Sequence, residues 1–220
     1  VQAVAAMIKE LDPNHPVMTV TAEIGGGRVQ AVHSLCPDID IMGINSYGGL
    51  PSVPERYRKL GGTKPIIITE FGPPGVWEIG LTSFGAPPER TSTEKAAIYR
   101  DAFTKGCLEA QGLCLGGFAF IWGSKMEATS SWYGMFLPTG EKLAAVDAMT
   151  ELWSGRPPAN LCPEIRAFRL VGPDVVQRGD TVRVELEVAD PEGAGVTVQW
   201  LVRSEAPEYM TGGDAQPLPL

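Results

Sequence analysis

The sequence predicts an α/β fold in which four strand–helix units build a parallel sheet, followed by the opening of an all-β module. Three observations carry this. Short runs of apolar, β-branched residues alternate with stretches of helical periodicity. A Gly/Pro-rich stretch, residues 155–160, then interrupts the pattern. Beyond it the apolar period changes to two.

Taken in order, Val4, Met7, Ile8 and Leu11 fall at i, i+3, i+4 and i+7, one face of a helix that stops before Asp12-Pro13-Asn14. The first strand is predicted over 16–21 and runs toward Glu23 and Gly25-Gly26-Gly27. These glycines do not make a phosphate loop. Gln30 stands where the third Gly of G-x-G-x-x-G belongs, and no Gly-Lys-Ser/Thr follows. A short helix over 29–35 leads to a second strand, 38–44, which ends in Asn45-Ser46-Tyr47-Gly48-Gly49. After a proline-started helix over 52–60, Pro65 opens the third strand, Ile66-Ile67-Ile68-Thr69. Such a continuous apolar run suits a strand buried on both faces. It ends on a carboxylate, Glu70, and breaks into Phe71-Gly72-Pro73-Pro74. A charge at the tip of a buried strand is costly unless it is paired or used.

A loop over 72–90 carries Trp77 and Phe84, and Thr91-x-x-Glu94 reads as a capping box. The long helix it opens draws its buried face from Ile98, Ala102, Phe103, Gly106 and Ala110, and Gly112 ends it. The fourth strand is predicted over 117–122, closing on Trp122. Its loop, 123–140, holds Lys125, Glu127, Trp132 and Tyr133. In the last helix, 141–153, Leu143, Val146, Met149, Leu152 and Trp153 are the expected buried side.

Strands that alternate with helices lie parallel, joined by right-handed crossovers. The pattern fits half of a (β/α)8 barrel, strands five to eight, and also an open doubly wound sheet. Glu23, Asn45, Tyr47, Glu70 and Trp122 all fall at or just past C-terminal strand ends, where barrel enzymes place their chemistry. Open sheets bind at the same edge, so strand order has to decide. The domain reading is 1–154 for the α/β part, 155–163 for a linker and 164–220 for a partial β-sandwich. In the last segment, 165–170, 182–188 and Val196, Val198 and Trp200 alternate, enough for about three strands, too few to close a core. Trp153 and Trp200 are expected in cores, and His15 and His33 in structural roles.

The net charge of −8 argues against a nucleic-acid or anionic-membrane partner. No apolar run approaches the roughly 20 residues of a membrane span. Four cysteines without a C-x-x-C pair, and only two histidines, exclude an evident zinc site; no metal or cofactor is expected, and the thiols read as isolated. Val1-Gln2-Ala3-Val4 reads like the middle of a helix, so the chain is expected to begin inside a larger gene product.

The motifs together carry a resemblance. The stretch 41–153 resembles the second half of the catalytic barrel in retaining glycoside hydrolases of the large (β/α)8 clan, most of all the β-galactosidase and β-glucuronidase family, with cellulase-type families close behind. That clan ends its seventh strand in T/S-E-F/Y-G, matched by Thr69-Glu70-Phe71-Gly72, and its sixth in N-x-Y, matched by Asn45-Ser46-Tyr47. A Trp platform ends its eighth, matched by Trp122 in Phe120-Ile121-Trp122-Gly123. The resemblance implies Glu70 as nucleophile and Tyr47 as the group that holds its carboxylate. It implies Asn45 and Trp122 as sugar-binding residues, and an oligosaccharide or polysaccharide as the substrate. It also favours a secreted or periplasmic setting. The C-terminal segment, with Val188-Ala189-Asp190-Pro191-Glu192-Gly193 and Gln199-Trp200, is similar to Ig-like or PKD-like accessory modules.

The chemistry gives reasons for these residue types. Retaining hydrolysis needs two carboxyl groups about 5–5.5 Å apart, one to attack the anomeric carbon and one to protonate the leaving oxygen. A nucleophilic carboxylate works ionised, a form favoured by a hydroxyl donor. A Trp face stacks on the C–H surface of a sugar. In the clan the acid/base Glu follows an Asn at the end of the fourth strand, upstream of the first helix here. Glu23 and Glu127 are the nearest substitutes. Glu23 suits a loop-organising or sugar-contacting role better than proton transfer, and Glu127 a substrate hydroxyl or a loop partner. Trp77, Trp132 and Tyr133 line outer subsites or pack their loops. Competing readings are a transglycosylase, a non-catalytic carbohydrate-binding barrel and an unrelated open-sheet enzyme. One geometric expectation separates them: the Tyr47 hydroxyl should lie at hydrogen-bond distance from Glu70.

Overall fold

A computed structural model of the chain describes residues 1–205 and Tyr209. They form two compact units, Val1–Ile79 with Ile98–Ile121, and Gly80–Ala97 with the chain from Trp122 onward.

The first unit contains α1 (Gln2–Leu11), β1 (Met18–Ala22), α2 (Arg28–Leu35), β2 (Ile41–Asn45), α3 (Val53–Lys59), β3 (Ile66–Phe71), the end of α4 (Ser92–Phe103) and β4 (Cys114–Ala119). All strand pairs are parallel, in the order β1-β2-β3-β4. Spatial order follows chain order with no reversal. That is the winding of a barrel segment; a doubly wound sheet reverses at a switch point.

One face of the sheet is a core. Met42, Ile44, Ile66, Ile68 and Phe71 are fully buried, and the Phe71 ring stacks on Phe103 of α4 (5.6 Å, 26°) and meets Tyr99 (5.8 Å). The opposite face is lined differently. A Cβ on Gly43 would lie 2.8 Å from Val20 and 3.0 Å from the Thr69 methyl, so only glycine lets these two side chains close over β2. Met18, Val20, Leu115 and Phe118 are exposed, as are Val4, Met7, Ile8 and Leu11 on α1.

The long helix and the fourth strand of this unit depart from the sequence reading, and β2 begins three residues late, at Ile41. The helix opened by Thr91 is α-helical only to Phe103 and continues as a π-helical turn, Thr104–Leu108. The turn brings Gly106 onto Leu50, in the 3-10 turn Leu50–Ser52. The fourth strand begins three residues early and ends at Ala119 rather than Trp122. Cys114 pairs with Ile66 and Gly117 with Ile68, so cross-strand pairing, not the glycines, sets its ends.

In the second unit the capping box forms as expected: Thr91 N–H donates to Glu94 Oε2 (2.8 Å), and Glu94 N–H to Thr91 Oγ1 (3.2 Å). The last helix, α5 (Ala144–Ser154), is shifted and rotated from expectation. It buries Ala145, Asp147, Ala148 and Met149, while Trp153 is exposed. Asp147 sets that phase by accepting from Lys142 Nζ (2.5 Å) and the Cys162 N–H (2.6 Å), which draws a polar residue inward. β5 (Glu164–Val171) and β6 (Arg183–Ala189) pair antiparallel. Among the described residues no strand forms at Val196–Trp200; alternation alone satisfies no backbone group, and a strand needs a partner to pair with. Trp200 is likewise exposed instead of core, its ring stacked on Phe168 at 6.2 Å.

Candidate active site

The C-terminal ends of β1 to β4 are tied together beyond the strands. Glu23 N–H donates to Asn45 O (2.9 Å), Ser46 N–H to Glu70 O (3.0 Å) and Phe120 N–H to Phe71 O (2.8 Å). Within β3 the register slips between Ile68 and Phe71, and both of these residues face the core. Thr69 and Glu70 therefore share the opposite side, a β-bulge that re-aims two polar side chains together. Thr69 Oγ1 donates to Asn45 Oδ1 at 2.6 Å. Asn45 and Glu70 are register partners.

Tyr47 lies two residues past β2, and its hydroxyl donates to Glu70 Oε2 at 2.9 Å. Its ring stands between Trp77 (5.8 Å) and Phe120 (6.1 Å), perpendicular to each. One carboxylate oxygen fixes the loops around it: Glu78 Oε2 accepts from the N–H of Gly48 (3.1 Å) and of Gly75 (2.8 Å).

Glu23 sits just past β1 with a left-handed backbone (φ 58°). Burial works to raise its carboxyl, but hydrogen bonds from Arg56, Ser46 and the Ile24 N–H outweigh it and hold the group below its ordinary value. Arg56 binds it bidentately, Nη1 to Oε2 (2.8 Å) and Nη2 to Oε1 (3.3 Å), and also donates to Gly49 O (3.1 Å). A carboxylate so engaged stays ionised and organises the β2–α3 loop.

Trp122, Glu127 and Trp132 belong to the second unit. Trp122 is 67% exposed, its ring 4.8 Å from Phe136. Glu127 is buried and paired with Lys125, in a tight bridge with Thr129. Trp132 is 3% exposed and packs its loop, leaving no open ring face. That loop is anchored where Lys95 Nζ meets Glu89 and Ser131 O (2.7 Å). His33 is structural: Nδ1 bonds Val29 O (2.8 Å), and Nε2 accepts the Thr63 N–H (3.0 Å).

Sequence reading missed Arg56, Thr69, Glu78 and Phe120 as site neighbours. Thr69 and Phe120 stood inside the motifs without a role of their own, and Glu78 left a trace three residues after a glycine in a turn-rich stretch. Among the described residues, no group of three His, Cys, Asp or Glu side chains could hold a metal ion. Two thiols expected to be isolated are in fact neighbours. Hydrogen bonding between Cys107 and Cys114 brings Cys114 down to about 7 and pushes Cys107 up.

No protein-family model and no curated protein matches the sequence. Solved structures match the fold. A GH39 β-xylosidase from Caulobacter crescentus aligns with 73% of this chain and 37% of its own, at a TM-score of 0.51 and 16% identity. A calcium-binding mutant of Bacteroides uniformis β-glucuronidase 2 aligns with 74% of this chain and 20% of its own (TM-score 0.50, 14% identity). PfGH50B aligns with 70% and 23% (TM-score 0.50, 17% identity). The chain thus spans between a fifth and just over a third of the length of these structures. The likeness is one of fold: a four-stranded parallel α/β sheet like part of a glycoside-hydrolase barrel.

Proposed function

We propose that this chain is the second half of the catalytic barrel of a retaining β-glycosidase, with Glu70 as its nucleophile. The observation that carries the reading is the 2.9 Å hydrogen bond from Tyr47 to Glu70, made across the C-terminal ends of adjacent parallel strands. A strand-tip carboxylate alone has many uses. One turned out by a bulge, steadied by a phenol on the next strand's loop and flanked by Asn45 and Thr69, suits attack on an anomeric carbon.

In this reading Glu70 Oε attacks the anomeric carbon of a β-linked sugar as an acid/base Glu, upstream in the gene product, protonates the leaving oxygen. The same acid/base Glu, now a carboxylate, then takes a proton from water as its oxygen attacks the anomeric carbon from the face the leaving group vacated, breaking the bond to Glu70 with net retention. The Tyr47 bond orients the carboxylate. Asn45 contacts the sugar and Glu23 holds its loop; within the second unit the exposed ring of Trp122 suits a sugar face, and Glu127 holds its own loop. Residues 155–163 are a linker, and 164–220, of which 206–208 and 210–220 lie outside the described residues, are read as the opening of an Ig-like or PKD-like accessory module.

The test uses the full-length gene product. Glu70→Gln should lower kcat by several orders of magnitude with little change in thermal unfolding, since the covalent intermediate can no longer form. A 2-deoxy-2-fluoro glycoside should label the peptide containing Thr69-Glu70-Phe71. Near-normal turnover in the Gln variant, or a label elsewhere, would reject the assignment.

A further inference from the structure

Trp77 is an aromatic residue that the proposed chemistry does not use, and three features set it apart from an ordinary surface tryptophan. It is 58% exposed although it stands in the 3-10 turn Val76–Glu78, directly beside the ring that holds Glu70. Its backbone is fixed at both ends of the site. Glu78, the next residue, takes the N–H groups of Gly48 and Gly75 and so ties the loop after β3 to the loop after β2. Its side chain also has a built seat. A Cβ on Gly75 would lie 2.4 Å from the indole, and one on Gly48 would lie 3.2 Å from the Glu78 carboxylate, so both glycines admit the arrangement by lacking a side chain.

A large indole held rigidly with most of its surface in water buries little apolar area for the protein's own benefit. Its environment suits a flat, amphipathic partner. Tyr47 packs perpendicular to it, and Glu70 lies one hydrogen bond beyond Tyr47. A sugar reacting at Glu70 would place its linked neighbour near this wall. Pyranose rings present a C–H surface that stacks on an indole, whose N–H is free to bond a hydroxyl.

We infer that Trp77, locked by Glu78, is the stacking platform of a second sugar subsite adjoining Glu70, and that the site takes a β-linked oligosaccharide rather than a single glycosyl unit. This inference rests on the glycosidase reading.

The experiment compares substrates with and without a second ring, using the full-length gene product and its Trp77→Ala and Trp77→Phe variants. The probes are β-glucosyl, β-galactosyl and β-xylosyl fluorides, whose leaving group fills no further subsite, and the corresponding β-1,4-linked trisaccharides. In Trp77→Ala the ratio of KM for the trisaccharide to KM for the matching fluoride should rise about tenfold, the scale of one lost aromatic contact. Trp77→Phe, which keeps a flat ring, should recover most of it. Should the wild type turn over no fluoride and no trisaccharide, the glycosidase reading itself fails, and this inference with it. Where the wild type is active, an unchanged ratio overturns the platform alone, as does equal damage to both substrate types, which would mean that Trp77 acts only by supporting Tyr47. If Trp77→Ala does not fold, a Phe variant that shows the wild-type ratio supports the platform, and a Leu variant that also shows it overturns it.

Discussion

Glu23, just past β1, and Glu70, near the end of β3, are both carboxylates at C-terminal strand ends of one parallel sheet, yet their partners separate their roles. Glu23 meets a guanidinium on two N–H groups, a hydroxyl and a backbone N–H. Glu70 meets a phenol whose ring lines an open aromatic wall. The first arrangement fixes a charge, whereas the second leaves a carboxylate aimed outward. The fixed charge has a pH signature. Because the folded-state value of Glu23 lies below the unfolded one, an acidified solution protonates the unfolded chain first. The stability Glu23 contributes is therefore full above its ordinary value of 4.5 and is lost as pH falls through the lowered folded value. The pair is more than a third exposed on both sides, so its net worth is about 1 kcal/mol at most. Glu23→Gln should lower the unfolding free energy from urea titration at neutral pH by up to about that amount and converge with wild type in acid. A difference that persists unchanged at low pH would show that packing, not charge, holds this loop.

At the scale of elements, periodicity located every strand and helix of the parallel sheet but could not read their ends or phases. The Thr69-Glu70 bulge is the clearest case. Nothing in I-I-I-T-E-F marks two consecutive residues for one face; cross-strand pairing with β2 and β4 imposes it. Asp147 likewise rotates α5 by bonding Lys142, just before the helix, and the N–H of Cys162, beyond its end, neither of which falls on the helical period. The site motifs were legible because each sits at a strand end, where chain direction alone places it. Arg56 was not, since a helix arginine looks solvent-facing until its carboxylate is known. The π-turn offers a test of tertiary override. In an ordinary helix interior Gly→Ala gains about 1 kcal/mol. At Gly106 the added methyl would lie 2.6 Å from Leu50, both residues being buried, and overpacking of this kind costs about 1–3 kcal/mol. Gly106→Ala should therefore destabilise the protein, and Leu50→Ala should cost less in that background than in wild type, a coupling readable from a double-mutant cycle. Stabilisation by Gly106→Ala would mean that the turn relaxes freely.

At the scale of the whole parallel unit, the two faces of the sheet are unequal in a way that propensity does not require. Parallel sheets are ordinarily covered on both faces. Here the Ile66–Ile68–Phe71 face is fully buried, while the face of Val20, Gly43 and Thr69 carries exposed Met18, Val20, Leu115 and Phe118. Among the described residues β1 and β4 are also the edge strands of this sheet, and an edge strand offers its backbone groups to pairing. In a closed (β/α)8 barrel this face fills the interior and neither edge exists. The 220-residue chain expressed by itself should therefore self-associate, and sedimentation velocity should show species heavier than its 23.5 kDa. Replacing Val20 and Phe118 together with Lys should shift the distribution toward monomer, because charges on a sheet face or edge oppose stacking and pairing. A monodisperse wild-type monomer with one sharp unfolding transition would mean that this face is stable in water, and the half-barrel reading would lose its physical basis.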